Sequence, residues 1–170
     1  MSGLVHDFIF DTARRSPGAE ALVDGARRMD YAALAGAVRD AADMLRAHGL
    51  QRRERVAVYL DKRIETVTAI FGTAAAGGVF VPVNPLLKPG QVAYILDDCQ
   101  ARVLVTSGAR LAALAPALAA CKHLRAVIVA DGGGPFPGIA GVRVSAWDEP
   151  HDTPAAPAQE AIDADMAAIL

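Results

Sequence analysis

The chain holds only two cysteines, Cys99 and Cys121, and neither belongs to a CxxC pair. This leaves a zinc ribbon and a redox dithiol without ligands, and two free thiols packing at helix ends are expected. Charge is sparse and balanced, with 17 basic residues against 19 acidic and a net charge of −2. No block of like charge stands out, so neither nucleic acid nor an anionic membrane is an expected partner. The four histidines, His6, His48, His123 and His151, fall at no metal-ligand spacing. G-x-x-x-x-G-K-S/T, G-x-G-x-x-G and G-x-S-x-G are all missing. With them go the usual phosphate loop, dinucleotide fingerprint and nucleophile elbow. The opening MSGLVHDFIFDT has no basic segment, and Asp7 and Asp11 interrupt its apolar residues. It is no signal peptide, and the expected location is cytoplasmic. No internal repeat occurs.

What is abundant is small apolar sequence. The composition is 53% hydrophobic and the mean hydropathy is +0.27. Much of it is alanine, which suits close helix packing. At 170 residues the chain can bury a core as one domain, or as one large piece of a bigger one. Thr66 to Leu87 carries no charge at all. A membrane span needs about 20 unbroken apolar residues. Here Gly77-Gly78, Pro82, Asn84 and Pro85 break the run. The better account is a buried helix from about Lys62 to Ala76, a glycine turn, and a central strand from Val79 to Val83.

The rest of the chain reads in order. Residues 4–15 form a short amphipathic helix with Leu4, Phe8 and either Asp11 or Thr12 on one face and Val5 and Ile9 widening the apolar side, and Ser16-Pro17-Gly18 stops it. Glu20–Asp24 and Arg28–Asp30 form a hairpin around Gly25. Asp30 caps a helix whose inner face is Leu34, Val38, Ala41 and Leu45. Gly49 ends it as a left-handed cap, with His48 at the negative end of its dipole. Strands are expected at Arg55–Leu60, Val79–Val83, Arg102–Thr106 and Ala126–Ala130. Helices fall between them at about Lys62–Gly77, Pro89–Asp98 and Gly108–Cys121. That alternation means an α/β fold: a parallel sheet with helices on both faces, preceded by a short hairpin and helix. A glycine- and proline-rich loop covers 131–141, Val142–Val144 is a short edge strand, and Trp147 anchors this segment against the body. The expected organisation is a lead-in at 1–54, an α/β core at 55–147, a linker at 148–164 and the start of a truncated strand at 165–170.

Few residues suggest chemistry. Ser107-Gly108 follows a strand and opens a helix, where an anion could bind, although a plain Ser107 cap explains it as well. Asp61-Lys62-Arg63 occupies the same edge: Asp61 is expected to cap the next helix with Lys62 and Arg63 solvated, or one of the two cations meets a phosphate. Gly132-Gly133-Gly134 precedes no helix and reads as a flexible loop. Asp97-Asp98 is expected to be solvated. No catalytic, cofactor-binding or metal-binding residue is assigned.

Several segments resemble the adenylate-forming superfamily of acyl-CoA synthetases, peptide-synthetase adenylation domains and luciferases. Met29-Asp30-Tyr31-Ala32-Ala33-Leu34 resembles a first core motif, with Asp30 in place of the usual hydroxyl residue. Ala74 to Pro85, AAAGGVFVPVNP, resembles the second, with Ala75 replacing lysine and Phe80 replacing tyrosine. Tyr94 to Thr106, YILDDCQARVLVT, matches the helix-strand unit that follows. The wording from Val58 to Pro89 is most similar to acyl-CoA ligases associated with exosortase A systems of exopolysaccharide-producing bacteria.

The resemblance implies the N-terminal subdomain of an enzyme that uses ATP, Mg²⁺ and coenzyme A. A carboxylic acid, in this reading a fatty acid, attacks the α-phosphate to give an acyl-adenylate and pyrophosphate. Coenzyme A then takes the acyl group. The phosphate loop and catalytic lysine of that family are not in this chain, so the chain alone is expected to be inactive and to bind none of these cofactors tightly. An exposed apolar surface, and a homodimer through it, are expected. Two rival readings are a self-contained flavodoxin-like module with a nucleotide or flavin near Asp61 and Ser107, and a non-catalytic interaction domain derived from a ligase.

Overall fold

The computed structural model describes residues 3–131, 133–150, 161–162 and 164–170. Helix α1 (Asp7–Arg15) leads into a hairpin of β1 (Glu20–Asp24) and β2 (Arg27–Asp30). The hairpin turns at Gly25, whose φ of 61° lies in the left-handed region. Helix α2 (Tyr31–Ala47) starts where the Asp30 carboxylate accepts from Ala33 N–H at 2.8 Å. It ends as expected at Gly49, φ 83°, with Leu50 N–H closing back on Leu45 C=O. The early helix is shorter than residues 4–15, and its faces differ from those expected. Ile9 is its buried residue and Phe8 is 70% exposed. The cause is the partner: α1 packs against Leu34, Ala35 and Val38 of α2 through Ile9, Phe10 and Ala13.

The main sheet follows. Its strands are β3 (Arg55–Tyr59), β4 (Val79–Pro82), β5 (Ala101–Thr106), β6 (Ala126–Val129) and β7 (Arg143–Ala146). All pair in parallel, in the order β4-β3-β5-β6-β7. Helices α3 (Ile64–Ala75), α4 (Pro89–Asp98) and α5 (Gly108–Leu118) make the crossovers. Strand residues alternate between two buried faces. Val56, Val58, Val103, Val105 and Ile128 pack under α2 and α3. Ala57, Tyr59, Val81, Leu104, Val127 and Val129 pack under α4 and α5. Burial on both sides explains the near-continuous apolar strands, each branched side chain contributing about 1.5–3 kcal/mol.

Three expectations need correction. Strand Val79–Pro82 is not central, because the first crossover carries the chain one way from β3 and the next carries it the other way, leaving β4 at the end of the five-stranded sheet. Its outer edge meets the chain's last residues instead: Phe80 N–H donates to Ala167 C=O at 2.9 Å and Ile169 N–H to Phe80 C=O at 3.1 Å. Helix α5 stops at Leu118, short of Cys121, because Ala120 and Cys121 N–H turn back to Ala117 and Leu118 C=O, three residues behind, and close the last turn. The last strand is Arg143–Ala146, at the opposite end of the sheet from β4. Trp147 is half-buried against the α2/α3 side. Among the described residues no helix is long and apolar enough to cross a membrane. The expected linker falls largely on residues 151–160, outside the described residues.

Candidate functional site

Strand order selects the place to look. Counting the sheet strands along the chain, their spatial order is 2-1-3-4-5, and it reverses between β3 and β5. In open α/β sheets the crevice beyond the carboxyl ends at such a reversal is the usual ligand site. Tyr59 and Thr106 pair at those ends, and Asp61 and Ser107 lie just beyond them.

The crevice is filled from within by Arg110. Its guanidinium donates to the Asp61 carboxylate and to Pro85 C=O, each at 2.7 Å. It also lies 4.5 Å from the centre of the Tyr59 ring. Tyr59 O–H in turn donates to Leu87 C=O at 2.7 Å, and Thr106 O–H to Tyr59 C=O at 3.1 Å. The loop after β4 is thereby tied to the ends of β3 and β5. Arg110 is not among the residues that the sequence singles out. Its signal was a cation in the first turn of a helix, where the dipole disfavours it unless a carboxylate compensates.

Asp61 therefore does not cap the next helix. Arg63 stands at the cap position of α3, and the nearby acids are Asp24 from the hairpin, 3.4 Å from Ile64 N–H, and Glu65 in the first turn. Arg63 is not solvated either. It bonds to the Glu65 carboxylate and lies 3.4 Å from Ala130 C=O and 3.5 Å from the Asp131 carboxylate. Arg27 donates to both Asp24 and Glu65. Burial alone would push the Glu65 carboxyl up, but the hydrogen bonds from Arg27 and Arg63 outweigh it and hold it at about 2. Asp24 is held below its ordinary value, chiefly by the Arg27 hydrogen bond.

Ser107 does cap α5, its hydroxyl accepting from Arg110 N–H at 3.3 Å. A second first-turn amide, Gly108 N–H, donates to the Asp131 carboxylate at 2.7 Å. The anion at this helix N-terminus is the protein's own. A triphosphate, which the family resemblance implies, does not fit these residues: Asp131 closes α5, Asp24 and Glu65 face the start of α3, and Gly133-Gly134 opens no helix. Gly132 lies outside the described residues. Among the described residues no group of three His, Cys, Asp or Glu could hold a metal ion. Burial lowers the His6 pKa against the pull of Asp7. It raises the pKa of Cys99 and Cys121, which are free thiols set into packing. His48 sits where the dipole argument put it, 2.9 Å from Met44 C=O through Nδ1, and it reaches Ser145 Oγ at 2.7 Å through Nε2. Asp97 and Asp98 are exposed, and His151 lies outside the described residues.

A second junction lies at the far end of the chain. The Asp165 carboxylate, its side chain 7% exposed, takes Arg52 Nε and Arg53 Nε at 2.8 Å each and Ile162 N–H at 3.1 Å. The Ile162 amide first, then Arg53 and Arg52, hold its pKa at about 2. This junction sets the last residues beside β4.

The family model for AMP-binding enzyme matches residues 9–170. The chain belongs to the AMP-binding enzyme family. It is 34% identical over 104 residues to bacitracin synthase 1 of Bacillus licheniformis, covering 61% of this chain and 2% of that protein. In structure it is similar to the anthranilate CoA ligase AuaEII solved with anthranoyl-AMP, with TM-score 0.76 and 27% identity, covering 81% of this chain and 26% of the other. A benzoate CoA ligase from Burkholderia xenovorans LB400 gives TM-score 0.70 and 26% identity, with 75% and 26% covered. This AMP-binding family chain thus spans a small part of the length of its relatives. Its α/β fold matches the N-terminal subdomain of adenylate-forming enzymes.

Proposed function

We propose that this chain is the N-terminal scaffold of an ATP-dependent, AMP-forming acyl-CoA ligase. In this reading the whole enzyme uses Mg²⁺ and converts a carboxylic acid, through its acyl-adenylate, to a coenzyme A thioester. Pyrophosphate leaves in the first step and AMP in the second. The observation that carries the reading is the structural likeness to the two aryl-CoA ligases over three quarters or more of the chain. The wording of Val58 to Pro89 favours the exosortase-associated subgroup; the family resemblance suggests a fatty acid substrate, and the opening residues, with no signal-peptide pattern, suit a cytoplasmic enzyme. The chain itself contributes position. Arg110, Tyr59 and Leu87 brace the sheet's carboxyl edge, and Asp165 seats the final segment. With the starts of α3 and α5 already faced by its own carboxylates, the 170-residue chain alone is inactive. Exposed Phe8, Leu86, Tyr94 and Met166 favour a homodimer.

A second reading has its own support. The 34% identity to bacitracin synthase 1 favours an amino-acid adenylation domain, in which a carrier protein replaces coenzyme A as acceptor. Pyrophosphate exchange tests both. The purified 170-residue chain, given ATP with fatty, aromatic and amino acids, should show no exchange, and robust turnover would refute the scaffold reading. Reading the gene past the Leu170 codon is the second test. A Thr/Ser/Gly-rich loop with a lysine supports a ligase, and a stop codon favours a non-catalytic interaction domain. Acyl-CoA release by a longer product separates a CoA ligase from carrier loading.

A further inference from the structure

The opposite edge of the sheet has its own chemistry. Four neighbouring strands begin at or beside an arginine: Arg55 opens β3, Arg102 is second in β5, Arg125 directly precedes β6 and Arg143 opens β7. Adjacent strands lie about 4.8 Å apart, so these residues start from a single row along the amino edge. Helix ends and local acids account for most of the row. Arg55 donates to Cys99 and Gln100 C=O, where a cation suits the negative end of α4. Arg102 pairs with Glu54 at 2.8 Å, and Arg143 lies 3.9 Å from Glu149.

Arg125 is different. It is exposed, and among the described residues its guanidinium bonds to the carbonyls of Lys122 and Leu124, at 2.8 and 3.0 Å, through a single nitrogen. Among the described residues no carboxylate forms an ion pair with it. A cleft of about 470 Å³ opens beside Arg125 and Arg102, lined also by His48, Gly49, Leu50, Glu54 and Val103. Glu54 is the acid in that lining, and both its oxygens are engaged, one by Arg102 and one by Gln51 N–H at 2.9 Å. Met44 C=O and Ser145 hold the His48 ring. The cleft therefore combines ligand-sized room, an apolar floor at buried Leu50 and Val103, and a guanidinium whose donors are largely unspent.

We propose that this cleft binds a small phosphate-bearing anion, with Arg125 as its main guanidinium contact and Arg102, whose Nε is held by Glu54 and Nη1 by His123 C=O, adding its remaining Nη2. The fork of Arg125 and one donor from the adjacent strand match separate oxygens of one tetrahedral dianion. The size of the cleft leaves room for the esterified group beside Leu50 and Val103. It lies at the other end of the strands from Arg110 and Asp61, so the two regions can be tested separately.

The test is calorimetry at low salt on the purified chain, with inorganic pyrophosphate and glycerol 3-phosphate as probes. The expected result is saturable binding at one site, weakened about tenfold or more by Arg125→Gln. It should be unchanged by Arg28→Gln, which removes the same charge from the hairpin. Amide NMR shifts in the unaltered chain should centre on Gly49, Val103 and Arg125. No binding at millimolar probe, equal loss in both variants, or shifts centred elsewhere would overturn the proposal. So would binding of an oligoglutamate peptide but not the phosphates, which would make the edge a protein-docking surface.

Discussion

Gly108 donates its backbone N–H to the Asp131 carboxylate at 2.7 Å, so the start of α5 is closed by an acid from the end of β6. Removing that acid should cost stability and reopen the helix to outside anions. Asp131→Ala is expected to lose about 1 kcal/mol. Sulfate should raise its melting temperature more than that of the parent chain. Equal stabilisation of both by sulfate would show that Asp131 does not occupy an anion position.

Gly72 of α3 lies against Ala41 of α2, and a Cβ built on it would sit 2.6 Å from the Ala41 Cβ. Helix propensity alone favours alanine over glycine by about 1 kcal/mol. Overlap between two rigid helices should outweigh that gain, and Gly72→Ala is expected to destabilise by about 1–3 kcal/mol. Adding Ala41→Gly should recover part of the loss, which a double-mutant cycle in urea would measure.

Acid should loosen both charged junctions. Asp165 and Glu65 have folded pKa values of about 2, below their ordinary 3.8 and 4.5. A depressed carboxylate stabilises the fold fully above its ordinary value and ceases to do so as pH falls through the folded one. Stability should therefore decline between about pH 4.5 and pH 2. Asp165→Asn should flatten the lower part of that decline in thermal melts, and an unchanged slope would remove Asp165 from the account.

Arg110 should hold the loop after β4. Arg110→Gln removes the charged bonds to Asp61 and Pro85 C=O together with the contact to Tyr59. The expected effect is a loss of about 1–3 kcal/mol and faster amide exchange at Leu86 and Leu87. Exchange that changes only in α5 would show that the contact does not order the loop.

The helices and strands were legible because their signals are local. The Asp30 cap, the Gly49 stop, and the Leu34, Val38, Ala41 and Leu45 face each depend on neighbours within a turn or two, and all stand in the structure. Phe8 and Ile9 show the limit. Both lie on the broad apolar side of a helix, and only the position of α2 decides that Ile9 is buried. Asp61 shows it again. Its place before a helix suggested a cap, but Arg110, 49 residues away, claims its carboxylate.

A parallel α/β sheet follows from the sequence, because two-sided burial demands continuous apolar strands and helical crossovers between them. The sequence also carried the wording that resembles the adenylate-forming enzymes. The order of the strands comes from the assembled fold alone, which puts Val79–Pro82 at one end and the reversal beside Asp61 and Ser107. Only that fold showed that Asp131, Asp24 and Glu65 had already taken the anion positions at the helix starts. Apolar alternation constrains which face of a strand is buried and leaves open which strand lies beside it. Charge pairing between distant loops is settled once that order brings them together.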